Sequence, residues 1–392
     1  MDRRQFLRIG SAIAAGAIVE SSFFGRALAD PLAAHARARG GPGPYGPLLA
    51  PDANGIALPA GFRSRLLARS REPVAGTGYV WHMLPDGGAT FRTDDGWIYV
   101  SNSEMFVAGL NASVSAIRFD RSGEIVAAYP ICEGTTFNCA GGATPWGTWI
   151  TCEEHAQGRA FECDPTGVAP AVERAALGTF QHEAVACDWR LGPLYLTEDQ
   201  RDGRLYRFTP AGWRDLSEGV LEVARVGPEG LVTWMRLRDP NPSAVSGTPT
   251  RHQVPESTGF DGGEGVVYHD GHVYFTTKGD HRVWDYETRS QRLRILYDAQ
   301  RDPARQLTGV DNITASRSGD LFVAEDGGNM EVVILTPEGV ASPLLRIVGQ
   351  DGSEITGPAF DPSGERLYLS SQRAFHVGAT YEVSGPFRRM PA

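Results

Sequence analysis

Acidic residues recur at one place in repeated segments of this sequence. Glu183, Glu264 and Asp311 each stand before a short apolar strand pattern, and a second such pattern ends 13 or 14 residues later. Carboxylates brought together by such a register would repel one another and acquire raised pKa values unless cations neutralise them. The spacing therefore predicts a site that binds several metal ions.

A cysteine occupies the same register in another segment. Cys139 lies 12 residues before Thr151, which ends the second strand pattern of that segment. Carboxylate oxygens and the amide oxygen of Asn312 favour hard cations such as calcium, whereas a thiolate among them favours a transition metal such as iron. Cys139 is therefore a candidate metal ligand, and we expect iron and calcium. A disulfide from Cys139 to Cys132 is the alternative, while Cys152 is the cysteine that we expect to form a disulfide.

Further carboxylates stand where the second strand of a segment ends. We predict that they also bind metal, and they are Glu104, Glu153, Glu198 and Glu325, with Glu154 as an alternative to Glu153. Solvated turn acids are the other interpretation, above all for the acids that follow two of them, Asp199 and Asp326. His182 is a candidate general acid or base, although a packed histidine is equally typical beside a channel-facing acid.

The elements that carry these residues are short strands. From residue 85 onward, segments rich in β-branched and aromatic residues alternate with turns of Gly, Asp, Asn and Pro, without long helical periodicity. Six units recur, most of them about 45 residues apart, which is typical of propeller blades. The sequence therefore predicts an all-β, six-bladed β-propeller in a single domain, with a β-sandwich pair or a β-helix as alternatives. In a propeller the first strands line a channel, so residues at their starts converge on one mouth.

The N-terminal residues predict export. Residues 1–29 contain twin arginines, an apolar stretch and a small-x-small site at Ala27-Leu28-Ala29, which is typical of a twin-arginine signal peptide. An ordinary secretory signal or an uncleaved anchor is the alternative. We expect a periplasmic or secreted protein that meets the twin-arginine export machinery, with an extended lead-in over residues 30–58 and the propeller over residues 59–392.

The charge of the chain limits its partners. Its 392 residues carry a formal net charge of −10, which disfavours nucleic acid and anionic membranes. We expect a monomer without stable membrane insertion after signal cleavage. No G-x-S-x-G elbow, Walker loop or dinucleotide fingerprint occurs, so serine-hydrolase and nucleotide-cofactor chemistry are disfavoured.

Several motifs resemble those of the PhoX family of exported alkaline phosphatases. The most specific is NCAGGATPWGTWITCEE, which begins at Asn138. Others are HEAVACD from His182, GEGVVY from Gly263 and DNI from Asp311. The resemblance covers most of the chain from about residue 58 to residue 380.

This resemblance implies a propeller with a mixed iron and calcium cluster that hydrolyses small-molecule phosphate esters. It implies that Cys139 is an iron ligand, and we predict a catalytic role for Glu264. The residues that it implies as ligands of iron or calcium are Glu183, Glu264, Asp311 and Asn312.

Two positions depart from the family pattern. Ser103 stands where relatives commonly carry histidine, and Gly262 stands where they tend to carry an arginine that grips phosphate. Arg251 or Arg373 could take over that contact. Two other functions stay open: a calcium-dependent lactonase with axial Glu, Asn and Asp residues, and a noncatalytic binding propeller whose metals only stabilise the blades.

Overall fold

Most of the chain forms short strands in six separate sheets. The computed structural model describes residues 36–107, 113–374 and 378–389, so the predicted signal peptide over residues 1–29 lies outside the described residues. Three strands precede the first sheet, and they are β1 (Arg39–Gly40), β2 (Ile56–Ala57) and β3 (Arg63–Arg69). In the described ranges the helical elements are short 3₁₀ helices at Ala175–Leu177, Pro228–Gly230 and Thr250–His252. None of the helices described is long and apolar enough to cross a membrane.

The first three sheets follow one another along the chain and are antiparallel throughout. Blade 1 contains β4 (Pro85–Thr93), β5 (Gly96–Ser103), β6 (Val114–Asp120) and β7 (Ile125–Cys132). Blade 2 contains β8 (Asn138–Ala143), β9 (Trp149–Glu153), β10 (Ala160–Cys163) and β11 (Val172–Glu173). Blade 3 contains β12 (His182–Cys187), β13 (Leu194–Glu198), β14 (Leu205–Gly212), β15 (Asp215–Val226) and β16 (Val232–Arg236).

The last three sheets repeat the same arrangement. Blade 4 contains β17 (Gly263–His269), β18 (His272–Thr277), β19 (Arg282–Glu287) and β20 (Arg292–Asp298). Blade 5 contains β21 (Val310–Ala315), β22 (Leu321–Glu325), β23 (Glu331–Leu335) and β24 (Val340–Ile347). Blade 6 contains β25 (Ile355–Phe360), β26 (Arg366–Ser371) and β27 (Ala379–Ser384), together with β3. The structure confirms the predicted all-β, six-bladed β-propeller.

The two ends of the propeller meet in blade 6. Strand β3 pairs antiparallel with β27, so the outer strand of the last blade comes from the N-terminal part of the chain. Within the predicted lead-in, β1 and β2 pair with β24 at the outer edge of blade 5. This closure holds the ring together through backbone hydrogen bonds.

Local turn chemistry favours these hairpins. Asp270 and Gly271 join β17 to β18 in a two-residue connection, and both have positive φ, at 49° and 91°. Positive φ at both positions is the requirement of a type I′ turn, which Asp-Gly satisfies with little strain. The fifth strand of blade 3 and the connection over residues 237–262 explain the longer sequence interval before blade 4.

The first strands of the six blades form the inner ring. Each of β4, β8, β12, β17, β21 and β25 contacts the first strand of the next blade, and β25 contacts β4. Near its start, each of these strands has a shift in its register with the second strand. Such bulges turn a side chain away from the regular pleat, here at the same place in all six blades.

Apolar side chains fill the spaces between neighbouring blades. A buried cluster lies at each of the six interfaces, and representative members, from the interface of blades 1 and 2 onward, are Val100, Ile150, Tyr286, Val323, Leu344 and Tyr99. Burial of these side chains is the main favourable contribution to stability. Because these clusters lie between the blades, polar residues at the starts of the inner strands do not interrupt them.

Gly142 tests how closely the inner strands pack. An added Cβ at Gly142 would fall on the carbonyl oxygen of Val185 in blade 3. We expect Gly142→Ala to lower the free energy of unfolding by about 1–3 kcal/mol, because overpacking against backbone forces the blades apart. Denaturant unfolding followed by tryptophan fluorescence measures this change. Gly352→Ala is the matched control, since its Cβ would meet no atom within 4 Å; equal effects of both changes would contradict the close approach.

Candidate functional site

The second residue of each inner strand occupies an equivalent place around the channel. These ring residues are Asp86, Cys139, Glu183, Glu264, Asp311 and Thr356. All six are buried. The repeat register predicts four of them as ligands but misses Asp86, although Gly88 follows it as Gly141 follows Cys139.

Three groups of side chains meet at this mouth of the channel. In each group, one potential ligand atom per residue lies within 4.8 Å of the others. The groups are Cys139 with Glu154 and Glu183, Glu183 with Glu264 and Asp311, and Asp86 with Glu104 and Glu354. We call these eight residues the acidic cluster. Glu183 belongs to two groups and therefore connects them.

Burial and mutual repulsion oppose ionisation of the acidic cluster. Burial, followed by the charges of Glu264 and Glu154, raises the pKa of Glu183 well above its ordinary value. Burial, opposed by Lys278, raises the pKa of Asp311 to about 7. Burial and nearby carboxylates also raise the pKa of the Cys139 thiol. Ionising these groups together is therefore unfavourable unless a positive charge lies among them.

Three carboxylate oxygens of the cluster lack a hydrogen-bond partner among the described residues. They are Asp86 Oδ1, Glu183 Oε2 and Glu264 Oε1, and all three are buried. Lys278 Nζ forms an ion pair with the last of them at 2.6 Å, so the oxygens of Asp86 and Glu183 are the two without any counter-charge. A buried polar atom without a partner is unfavourable, and such atoms are rare in folded proteins. A cation is the partner that would satisfy several such oxygens at once. The donor set fits a transition metal beside the thiol of Cys139 and hard cations beside the all-carboxylate groups.

Hydrogen bonds hold the carboxylates in place. The thiol of Cys139 donates to Glu183 Oε1 at 3.2 Å. The amide of Gln372 donates to Asp86 Oδ2 and to Glu104 Oε2, both at 2.6 Å. Gln372 therefore connects the last blade to the first across the closure of the ring.

Two cationic side chains stand at the rim of the cluster. Lys278 Nζ lies 2.6 Å from Glu264 Oε1 and 2.8 Å from Asp199 Oδ2. Arg373 Nη1 donates to Glu354 Oε1 at 2.8 Å. Their side chains are 42% and 41% exposed, so both are only partly buried at the rim.

The two arginines considered as phosphate-binding groups have different surroundings. Arg373 reaches the cluster through Glu354. Arg251 instead lies 3.2 Å from Glu198 Oε1 and 3.2 Å from Asp202 Oδ1. Those contacts hold Arg251 beside the end of β13 in blade 3 and the turn that follows it.

The structure does not bring Glu153, Glu198 and Glu325 together with the cluster. Each ends a second strand, and its carboxylate accepts hydrogen bonds within or beside its own blade. For Glu198 the donors include Tyr206 Oη at 2.8 Å, and for Glu325 they are the amides of Thr308 at 2.9 Å and Glu331 at 3.1 Å. For Glu153 they include Arg159 Nε at 3.2 Å and the amide of Thr136 at 3.1 Å.

The residue after each strand end faces the mouth instead. Glu154 belongs to the cluster, and Glu104, the one predicted acid that already follows its strand, belongs to it as well. Asp199 contacts Lys278, and Asp326 contributes to the raised pKa of Asp311. At three of the four strand ends, the residue after the predicted acid is therefore the one that faces the mouth, because side chains alternate between faces along a strand.

His182 lies in the packing between blades and not in the cluster. Its ring stacks on Phe180 with centroids 3.6 Å apart, and its Nε2 is 3.0 Å from the carbonyl oxygen of Gly178. Burial lowers the pKa of His182 to about 4. Because neighbouring side chains in a strand point to opposite faces, His182 faces away from the channel that Glu183 faces.

Asn312 joins two blades. Its Nδ2 donates to Asp311 Oδ1 at 2.9 Å, and its Oδ1 accepts from the amide of Gly357 at 2.7 Å. The amide oxygen that was expected to bind metal therefore links blades 5 and 6, and the amide nitrogen positions Asp311.

The cysteines are arranged differently from the disulfide alternatives. All five are buried free thiols. Cys132 contacts Cys163 of the next blade, and this contact lowers the pKa of the Cys132 thiol. Cys139 contacts Glu183. Cys152 lies in the apolar cluster between blades 2 and 3.

The raised carboxyl pKa values predict the pH dependence of the metal-free protein. Between the unfolded pKa of about 4 and the raised folded values, the native state binds more protons than the unfolded state, so stability falls as pH rises. We expect the chelated protein to lose stability from pH 5 to pH 8, a window that includes the pKa of about 7 at Asp311. Thermal unfolding in that range measures the slope.

Two variants and one addition sharpen this test. Glu183→Gln should flatten the slope, whereas Glu218→Gln, at an exposed position of blade 3, should not. Calcium should raise the melting temperature more at pH 8 than at pH 5, because protons compete with the cation. Stability that rises with pH in the chelated protein would contradict the repulsion described above.

Comparison with known proteins gives both a family and a fold. The family model for alkaline phosphatase PhoX matches residues 81–165 and 155–292. The structure resembles Pseudomonas fluorescens PhoX in complex with vanadate, a transition state analogue, with a TM-score of 0.69 and 16% sequence identity over 86% of this chain and 97% of that chain. No curated protein matches the sequence.

Two other solved structures are similar to this chain to a lesser degree. One is a protein of unknown function from Bacteroides thetaiotaomicron, with a TM-score of 0.53 and 9% identity over 82% of this chain and 76% of that chain. The other is a gluconolactonase from Xanthomonas campestris, with a TM-score of 0.47 and 14% identity over 88% of this chain and 99% of that chain. The family model spans more than half of the sequence, in the blades that carry most of the acidic cluster. This chain belongs to the PhoX family.

Proposed function

We propose that this protein is a metal-dependent phosphatase that hydrolyses small-molecule phosphate esters at the acidic cluster. The observation that carries the proposal is the convergence of seven carboxylates and one thiol from six blades on one channel mouth. Among the described residues, Asp86 and Glu183 each have a buried oxygen with neither a hydrogen-bond nor an ion-pair partner, which supports a cation site. Membership of the PhoX family supports the choice of phosphate esters.

The chain offers two kinds of cation position. Cys139, Glu154 and Glu183 would hold a transition metal, for which we propose iron, because a thiolate is a soft ligand. The oxygen-only groups would hold calcium, which prefers carboxylates. Such cations, when bound, supply Lewis-acid stabilisation of phosphoryl oxygens.

The protein itself contributes positioning and charge. Gln372 holds Asp86 and Glu104 together, and Asn312 holds Asp311, so these oxygens are placed before a ligand arrives. Preorganised groups of this kind require little rearrangement as charge develops on the reacting phosphate. Glu264 is the member of the cluster that contacts Lys278, and we propose that it takes part in catalysis as a ligand and as a contact of that lysine.

The remaining expectations follow from this role. We propose export through the twin-arginine machinery to the periplasm or beyond, since that route carries folded proteins and so allows metals to bind first. We propose a monomer whose partners are small phosphate esters rather than nucleic acid, because the chain is acidic. We also propose that the protein is not stably inserted in a membrane after the signal peptide is cleaved.

Cys139→Ser tests the proposed transition-metal site. We expect the purified wild-type protein to contain iron and calcium and to hydrolyse an aryl phosphate, and chelation to abolish turnover. We expect the variant to lose iron and at least about 10- to 100-fold of its activity, the loss typical even of groups that support a metal ligand. Elemental analysis and initial rates measure the two effects.

Cys187→Ser is the matched control, because this buried thiol lies in the apolar cluster between blades 2 and 3 and outside the acidic cluster. Metal retained by the wild-type protein without turnover on phosphate mono- and diesters would favour a noncatalytic propeller. Lactone hydrolysis by an iron-free Cys139→Ser protein would favour a calcium-dependent lactonase.

A further inference from the structure

We infer that Lys278 is a substrate-positioning residue whose ammonium donates a hydrogen bond to a nonbridging phosphoryl oxygen of the ester. The inference rests on the proposed function and adds to it the group of this chain that holds the anion beside the acidic cluster. Four observations support it.

The first observation is the use of lysine itself. Lys278 is the single lysine among the 37 Lys and Arg residues of the sequence. Arginine is a planar fork, whereas lysine is a compact point charge with three donors on a flexible stem. A chain that otherwise uses arginine throughout therefore has an ammonium side chain at one place only, the rim of the channel.

The second observation is a reversal of charge at one repeated position. The residues that directly follow the second strands of blades 1 to 6 are Glu104, Glu154, Asp199, Lys278, Asp326 and Gln372. Four are acids and one is an amide, so blade 4 alone presents a cation at this position. An anion that enters the mouth meets a positive side chain there and negative ones at most other blades.

The third observation is that the Lys278 ammonium has fewer partners than hydrogen-bond donors. Among the described residues, Nζ has two ion-pair partners, Glu264 Oε1 at 2.6 Å and Asp199 Oδ2 at 2.8 Å. An ammonium has three donors, so one N–H remains for a ligand. The lysine side chain is 42% exposed, whereas those of Glu264 and Asp199 are 3% and 15% exposed, so of the three side chains the lysine is the one that a solute in the mouth meets first.

The fourth observation is the space that Gly262 leaves. The amide of Lys278 donates to the carbonyl oxygen of Gly262 at 2.8 Å, so the two residues are direct neighbours across blade 4. An added Cβ at Gly262, where φ is 70°, would lie 2.9 Å from Lys278 Cγ. A side chain at position 262 and the present lysine conformation therefore compete for one space, and this chain uses that space for the lysine.

These contacts predict a binding role more than a chemical one. An ammonium that is fixed by two carboxylates before substrate arrives contacts the phosphate in the ground state and in the transition state alike. Removing such an interaction raises KM with a smaller effect on kcat. Inorganic phosphate, which offers the same oxygens, should lose affinity in parallel.

Lys278→Met in the metal-loaded full chain tests the inference. We expect KM for an aryl phosphate and the inhibition constant of inorganic phosphate to rise roughly 10- to 100-fold, as expected when one charge-assisted hydrogen bond is lost. We expect kcat to change much less and Lys278→Arg to recover part of the affinity. Arg292→Met is the matched control, because this exposed arginine lies on the outer strand of the same blade and pairs with Glu229.

Chemical modification gives a readout that does not depend on turnover. Because the chain has one lysine, reductive methylation followed by peptide mass analysis reports on Lys278 apart from the N-terminal amine. Inorganic phosphate should slow methylation of Lys278 in the metal-loaded protein and leave the N-terminal amine unaffected. Sulfate of equal ionic strength serves as the comparison anion.

The outcomes separate this inference from the proposed function. Turnover by wild-type protein with unchanged KM and phosphate inhibition in Lys278→Met would overturn the inference alone. Loss of metal from Lys278→Met would also overturn it, since the lysine would then be a counter-ion of the cluster. No ester turnover by the metal-loaded wild-type protein would reject the proposed function, and in that case failure of phosphate to protect Lys278 would reject the inference as well.

Discussion

Negative charge that is buried without full compensation at the channel mouth is the constraint on which the site depends. Charges a few ångströms apart interact strongly where water is excluded. The chain answers part of this repulsion itself: Gln372 donates to two carboxylates, Lys278 neutralises Glu264 on one side, and Arg373 neutralises Glu354 on the other. Among the described residues, no group of the chain compensates the charge of Asp86 Oδ1 and Glu183 Oε2. Cation binding there would remove an unfavourable interaction and form favourable ones at the same time.

The propeller creates this situation by repeating one backbone position six times. A bulge near the start of each inner strand presents the ring residue to the channel, and the residue type alone decides what each blade contributes. Blade 2 contributes a thiol and blade 6 the neutral Thr356, whose hydroxyl donates to the carbonyl oxygen of Pro85 at 2.8 Å. Glu354, two residues earlier in the chain, supplies the carboxylate of blade 6 instead. The site is therefore asymmetric in its ligands although its scaffold is nearly symmetric.

The repeat register was sufficient to predict the fold, the number of blades and most ring residues, because equivalent positions of a repeat must occupy equivalent places. It failed where a decision between adjacent residues was needed. At the ends of the second strands, Glu153 and Glu154 have the same chemistry, and only the direction of the strand's last side chain separates them. The repeat register also could not predict Glu354. This residue lies directly before its inner strand, and in the other blades no cluster residue stands at the equivalent position. The role of Lys278 could not be inferred from the sequence alone, because it depends on contacts with Asp199 and Gly262, which are not adjacent to it in the chain.

Closure of the ring by β3 and β27 has a consequence for how the protein is made. These strands pair residues from opposite ends of the propeller, and Gln372 adds a bond from the last blade to Asp86 of the first. Contacts between such distant residues form late, because the loop between them loses much conformational entropy on closing. The acidic cluster draws on all six blades, so it is complete only after the whole chain has been synthesised and the ring has closed. A partly folded chain would hold only fragments of the cluster, and firm retention of cations would therefore distinguish finished molecules from unfinished ones.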